Sequence, residues 1–239
     1  MAKHGGNRTL KRLVVSSKVS IPRKEKVWVA KPRAGPHQLS SCMALSTFLT
    51  DVLKLTGISR ESKKIIKEGK VLVDGRVIKD YKFPIGFMDL VSIPSIGMTF
   101  VVDYDSKGRL TARRNDNLSS KLAKVVGKGT IKNGRLQIHL SNGYAFESDK
   151  QYNIGDSLEL SIPGFNVLRV IPLEVGARCI VVKGKNAGER GIIKTITAGT
   201  SNRKAIVSIS SDSGNEFNTL KDYVFVLGDF KIMSGDVSG

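Results

Sequence analysis

Ser59-Arg60-Glu61-Ser62-Lys63-Lys64-Ile65-Ile66-Lys67-Glu68-Gly69-Lys70-Val71-Leu72-Val73-Asp74-Gly75-Arg76-Val77-Ile78 holds two periods separated by one glycine. The first half steps like a helix. At about 100° per residue, Ile58, Ser62, Ile65 and Ile66 share one side, while Arg60, Lys63, Lys64 and Lys67 fall together on the other. Ser59 stands where a cap is expected, and Gly69 stops the helix just after Glu68. The second half sets Asp-Gly between two β-rich triplets, which predicts a tight hairpin with a primed turn.

The neighbouring residues extend this pattern. Upstream, Leu45, Phe48, Leu49, Val52 and Leu53 are spaced for one helix face, predicting a helix over Met43–Leu55 ended by Thr56-Gly57. Downstream, Lys79, Lys82, Pro84 and Gly86 lead into a strand, Leu90–Ile93. Residues 40–100 therefore read as a small α+β unit: two helices, then an Asp-Gly hairpin. Four cations on one helix side, with no anion among them, suit a row of phosphates.

Beyond Pro94 the helical period disappears. Strands are expected at Thr99–Val102, Leu110–Arg113, Val125–Val126, Arg135–Leu140, Leu158–Ile162 and Val167–Ile171, separated by turns such as Ser106-Lys107-Gly108, Asn133-Gly134 and Pro163-Gly164. Asp103 and Asp105 read as part of the first of these turns. Residues 101–173 form a β-rich central unit of barrel or sandwich type. From 174 to 239 a second β unit begins with a strand over Val175–Val182. The loop Lys183-Gly184-Lys185-Asn186-Ala187-Gly188-Glu189-Arg190-Gly191 follows, then a strand over Ile192–Ile196. A P-loop would need Ser or Thr after Lys185 and then a helix, and a dinucleotide fingerprint would need its last glycine to open a helix. Both fail, leaving a glycine loop suited to close backbone approach by a partner.

The 239 residues carry 39 Lys and Arg against 21 Asp and Glu, a net charge of +18. Residues 1–39 hold ten cations and one anion, so half the excess lies in a sixth of the chain. This segment, with Gly5-Gly6, Pro22, Pro32, Gly35 and Pro36, lacks a sustained apolar period and reads as a basic arm that orders on binding. Counterion release favours phosphate as its partner, and the apolar helix face that membrane attachment requires is missing. No apolar run approaches the length of a membrane span. Cys42 and Cys179 are too few for a disulfide framework or a four-thiolate zinc site and read as small core residues. His4, His37 and His139 lie in separate segments, and no catalytic motif, cofactor site or metal-ligand spacing is evident. A binding protein, not an enzyme, is expected.

Residues 59–66 and 69–77 resemble the small RNA-binding module first described in ribosomal protein four, whose second helix and the loop before its hairpin meet RNA backbone. The resemblance implies that role for Arg60, Lys63, Lys64, Lys67 and Arg76. Val175 to about Ile196 resembles the KOW motif, with Gly184, Gly188 and Gly191 in place, implying that Lys183, Lys185 and Arg190 also meet RNA. Leu10-Lys11-Arg12-Leu13, Ile21-Pro22-Arg23-Lys24-Glu25 with Trp28, Gly35-Pro36-His37, Lys79-Asp80-Tyr81-Lys82-Phe83-Pro84 and Gly155-Asp156-Ser157-Leu158 complete an ordered set. The whole is similar to the e-type small-subunit ribosomal protein four family of archaea and eukaryotes, with a short, archaeal-looking C-terminus.

Thr9 and Ser16-Ser17-Lys18-Val19 depart from that family's usual His before the first run and Pro with Trp after it. The resemblance implies a structural part of the small subunit, in the cytoplasm, held to rRNA and neighbouring ribosomal proteins without cofactor, membrane or small-molecule substrate. In the arm, Lys3, Arg8, Lys11, Arg12, Arg23, Lys24, Lys26, Arg33 and His37 would touch RNA. Two rivals, a KOW-type elongation factor and an RNA-modifying enzyme, leave the basic arm or the missing catalytic domain unexplained.

Overall fold

The computed structural model describes residues 9–115, 119–131, 135–200 and 203–230; Lys3, Arg8 and the Asn133-Gly134 turn lie outside them. Strand β1 (Leu10–Lys11) pairs antiparallel with β2 (Trp28–Val29), so the arm folds back on itself. Val19 and Ile21 are buried, and Val19 bridges to Leu110. Between Thr9 and Gln38 the arm is therefore packed on the body. It is not the freestanding tether expected, because its scattered valines and isoleucines find a surface supplied by distant strands.

Strand β3 (Cys42–Ala44) leads into helix α1, which runs as α over Leu45–Thr47 and in a wider π turn over Phe48–Val52. The expected helix thus starts later: Met43 belongs to a strand. It also ends earlier, because Lys54 takes a left-handed φ of 52° and turns the chain. Helix α2 covers Ser59–Lys67, with Gly69 left-handed after it. Ser59 is its first helical residue and not its cap. The Glu61 carboxylate accepts hydrogen bonds from the Gly57 and Ile58 backbone N–H groups at 3.2 and 3.4 Å, satisfying helix-start donors.

Strands β4 (Leu72–Val73) and β5 (Arg76–Val77) form the predicted hairpin. Asp74 and Gly75, at φ 51° and 76°, both occupy the left-handed region that a primed turn demands. β6 (Pro84–Gly86) pairs with β3, and β7 (Leu90–Ile93), β8 (Met98–Tyr104) and β9 (Leu110–Arg114) complete a five-stranded sheet ordered β5-β4-β7-β8-β9. The expected boundary at residue 100 falls inside β8, whose residues Met98 to Val101 pair with β7.

The central sheet contains β10 (Ser120–Thr130), β11 (Leu136–Leu140), β12 (Ala145–Ser148), β13 (Ser157–Ser161) and β14 (Val167–Ile171), ordered β12-β11-β10-β13-β14. The last sheet contains β15 (Arg178–Val181), β16 (Arg190–Thr197), β17 (Ile206–Ser211), β18 (Glu216–Leu220) and β19 (Val224–Val226), ordered β18-β17-β16-β15-β19. All the pairings between these strands are antiparallel. Among the described residues the chain is mostly β with few helices, an α+β fold.

One apolar core joins the arm, the helical module and the last sheet, while a second, built on Val125, Ile138, Leu158 and Leu160, belongs to the central sheet. Phe87, just after β6, links β8 to the last sheet: its ring stacks on Tyr104 at 4.9 Å and meets Phe225 edge-on at 5.0 Å. The central unit is fastened by polar groups. Lys124 Nζ donates to the carbonyls of Lys221, Asp222 and Val224 at 3.1, 3.0 and 2.6 Å. Burial pushes this ammonium down to about 8, and the three carbonyls that accept its hydrogens suit it to remain charged near neutrality.

Candidate nucleic-acid interface

The helical module presents its cations as the sequence predicts. Ile66 and Ser62 are fully buried, whereas Arg60, Lys64 and Lys67 are exposed and have no carboxylate partner among the described residues. Lys63 is half-buried, its ammonium 4.8 Å from the Tyr81 ring centre. The two glutamates of the segment are used locally, Glu61 at the helix start and Glu68 on Lys70 at 2.6 Å. Ile58 departs from the expected apolar side and is exposed, because the chain is still extended there.

A second cationic site lies where three segments meet. The arm, the turn between β8 and β9, and the glycine loop enclose a cleft of about 650 Å³. Arg12, Lys18, Arg23, Lys107, Arg109 and Lys185 line it, with no carboxylate among the lining residues. Burial, then the charges of Arg23 and Arg109, lower the Arg12 guanidinium from its usual range, and burial with Lys183 lowers Lys18. Like charges are held together here by the fold and not by counter-charges. Lys18, Lys107 and Arg109 were not among the expected contacts. The signal for two of them was the turn Ser106-Lys107-Gly108, read only as a turn, with Arg109 directly after it.

Several expected contact residues are engaged within the chain, although Arg33 and Arg76 stay exposed and Lys26 and Arg190 half-buried. Arg12 is buried, donating to the carbonyls of Ile21 and, at 3.2 Å, Pro22. Lys26 pairs with Asp51 at 2.5 Å and Arg33 with Asp80 at 3.0 Å. Arg190 pairs with Asp103, which is fully buried and also meets Arg113 at 2.8 Å. Asp103 is thus the buried anchor of two half-buried arginines, not a turn residue, although Asp105 does hold the turn by accepting from Lys107 and Arg109 N–H. Arg76 lies over the Phe165 ring at 4.9 Å.

The loop glycines likewise serve the chain itself. A Cβ on Gly188 (φ 94°) would collide with the Asp105 carbonyl, one on Gly191 would collide with Ser210, and Gly184 (φ 91°) sits beside the Tyr223 ring. Lys183 and Lys185 remain exposed, as do Lys11, Arg23 and Lys24 in the arm.

His37 is the largest departure. Its Nε2 lies 2.7 Å from Asp89, and Asp89 with Asp74 receives the buried ammonium of Lys121 at 3.1 and 2.5 Å. Burial works to lower the His37 pKa, but the charge and hydrogen bond of Asp89 outweigh it and raise the imidazole above its ordinary value. Burial works to raise Asp89, and His37 with Lys121 outweigh that and hold it far below the carboxylate range. This four-member junction ties arm, module and central sheet together. Among the described residues no cluster of three or more His, Cys, Asp or Glu is arranged for a metal, and no helix is long and apolar enough to cross a membrane.

Three family models match the chain: an RS4NT (NUC023) domain over residues 4–40, an S4 domain over 52–91, and Ribosomal family S4e over 96–167. Fold and matches together define a composite protein carrying an S4 domain between a basic arm and β sheets. Small ribosomal subunit protein eS4 of Methanothermobacter thermautotrophicus is 42% identical over 230 residues, 95% of each chain. Its counterpart in Methanocaldococcus jannaschii is 38% identical over 242 residues, 96% of this chain and 97% of the relative. The crystal structure of 30S ribosomal protein S4e from Thermoplasma acidophilum superposes with a TM-score of 0.65 at 28% identity, covering 80% of this chain and 95% of that one. The chain belongs to the small ribosomal subunit protein eS4 family. Similarity this near to full length gives no support to the elongation-factor and modifying-enzyme alternatives.

Proposed function

We propose that the chain is a structural constituent of the small ribosomal subunit that holds small-subunit rRNA by its phosphates, working in the cytoplasm beside other ribosomal proteins and without enzymatic activity. Membership of the eS4 family supports the assignment to the subunit. The observation that carries the mode of binding is the cleft in which six cations converge with no lining carboxylate. Such a cluster is self-repelling in the free chain and is relieved by a polyanion, whose condensed counterions are released on contact.

The second contact is α2, where Arg60, Lys63, Lys64 and Lys67 lie along one face about as a backbone strand would require. Beyond the lining cations, which include Arg23 and Lys185, the exposed Lys11, Lys24 and Lys183 extend the charge. Arg12, His37, Arg190 and the loop glycines position these groups from behind, while Arg76, exposed over Phe165, stays available to RNA. Phosphate contacts of this kind fix placement and shape fit without reading bases. As working units we take the arm to about residue 39, the helical module with its sheet to about 115, the central sheet to about 173, and the KOW-like last sheet.

The test reverses Lys107, Arg109 and Lys185 to Glu, and separately Arg60, Lys64 and Lys67. Each triple is expected to weaken small-subunit rRNA binding and to lower the slope of log affinity against log salt by about 2–3, since each lost phosphate contact removes roughly 0.7–0.9. Unchanged slopes in both variants would remove these faces from the interface.

A further inference from the structure

Trp28, the chain's only tryptophan, is 55% exposed although it is held firmly. Its strand pairs with Lys11, the Arg12 N–H donates to Val27 O at 3.0 Å, and the Arg12 side chain locks the turn beyond. This large ring is fixed outside the core among cations. Lys11 Nζ lies 5.9 Å from its centre. Across a cleft of about 290 Å³, Tyr81 is flanked by Lys63 at 4.8 Å and Lys82 at 5.7 Å. Ser46, Thr47, Ser59 and Lys31 also line the cleft. Asp51 is the only carboxylate in its lining, and Lys26 neutralises it.

We infer that this cleft receives an unpaired nucleotide of RNA, its base lying on the Trp28 indole and its phosphates reaching the lysines around both rings. The inference rests on the rRNA-binding reading above and adds a different chemistry to it. Aromatic rings interleaved with cations suit single strands, since every base has a stacking face and the charge follows the backbone. The volume falls near the lower bound of small-ligand sites, about 300 Å³, which suits one splayed nucleotide and excludes a duplex. In paired RNA the base faces are hidden, so only bulges, loops and ends can enter. An acidic peptide would satisfy the lysines but leave the two rings without a stacking partner.

Because Trp28 is the sole tryptophan, its fluorescence reports the cleft in the intact chain. Titration with a short single-stranded oligoribonucleotide is expected to quench it saturably, whereas a duplex of the same length binds without quenching and polyglutamate does not quench. By anisotropy of labelled RNA, Trp28→Ala is expected to weaken single-strand binding about tenfold and to leave duplex binding unchanged, which also shows that the variant is folded. Trp28→Phe is expected to restore most of the loss. Equal quenching by polyglutamate, or full single-strand affinity in Trp28→Ala, overturns the inference. If Trp28→Ala is silent while the Lys107, Arg109 and Lys185 reversal still weakens RNA binding, the phosphate reading survives and the stacking cleft does not. If the unmodified chain binds neither RNA, both fall.

Discussion

The junction around Lys121 and the cleft around Arg12 and Lys18 are both built from distant segments, but they treat charge in opposite ways. At the junction one ammonium meets two carboxylates, and a histidine completes the set, all within hydrogen-bond distance and nearly out of water. In the cleft six cations share a space that no lining carboxylate enters. Desolvation explains the first arrangement: a buried charge is tolerated only when paired and hydrogen-bonded. Folding alone does not explain the second, because mutual repulsion works against the compact state. Charges that balance inside the fold hold its parts together, and those left unbalanced mark where a partner supplies the missing sign.

Removing the central cation should therefore have the greatest effect. Lys121→Met keeps the apolar stem, removes the ammonium, and leaves Asp74 and Asp89 facing each other with only His37 in compensation. The expected loss is about 3–5 kcal/mol, the usual cost of breaking a buried pair from one side, read as a lower denaturant midpoint at constant slope. Adding Asp74→Asn should recover part of the loss, since Asn tolerates the left-handed backbone at that position and removes one stranded carboxylate. Additive losses in the double variant would show that the two side chains do not act as one group.

A smaller effect is expected at the glycine loop, where Gly188, packed on the Asp105 turn, and Gly176, in the open turn before β15, offer a controlled contrast. Gly176 and Gly188 have nearly equal left-handed φ values, 88° and 94°. A Cβ on Gly176 meets nothing within 4 Å, whereas one on Gly188 collides with Asp105 and Gly108. Gly176→Ala should cost only its backbone strain, about 1 kcal/mol. Gly188→Ala should cost more, about 2–3 kcal/mol, and should also weaken rRNA binding by shifting the loop from the Lys107 and Arg109 turn. Equal losses of stability in the two variants, with no change in RNA affinity, would mean that the loop is not docked on that turn.

How much of this was legible in the sequence follows from the range of each interaction. The Asp74-Gly75 hairpin and the cationic side of α2 rest on neighbours within one turn, and both were readable. β10 was not: only Val125-Val126 stood out, because Lys121 and Lys124 occupy inward positions and spoil the apolar alternation. The groups that make those lysines tolerable, Asp74 with Asp89 and the carbonyls of Lys221, Asp222 and Val224, lie far away in sequence. His37 and Arg190 were read as RNA contacts for the same reason, since their carboxylate partners are 52 and 87 residues distant. The cleft was half readable. Its arm cations stood out by density, but the convergence of the Lys107 turn and the glycine loop depends on sheet packing that no local pattern encodes.

The mildest test of the junction is pH. His37 faces Asp89, with Lys121 and Asp74 close enough to act on it, and its imidazole is raised above the ordinary value near 6.5. Asp74 is raised to about 6, first by burial and then by the Asp89 charge. A group raised on folding binds more protons in the native state than in the unfolded one, so stability falls as pH rises through the interval between its two values. For Asp74 that interval runs from the ordinary carboxylate range to about 6, and for His37 it begins near 6.5. Asp89, held low, has the opposite sign, but its interval lies below the ordinary carboxylate range and affects only strong acid. Denaturant titrations from about pH 5 to 8 should therefore show stability declining on the order of 1 kcal/mol. His37→Gln should flatten the part above pH 6.5 while the part below persists. A profile that rises across this range, or one that the substitution leaves unchanged, would mean that the imidazole is not held as a cation against Asp89, and the junction would then reduce to Lys121 and its two carboxylates.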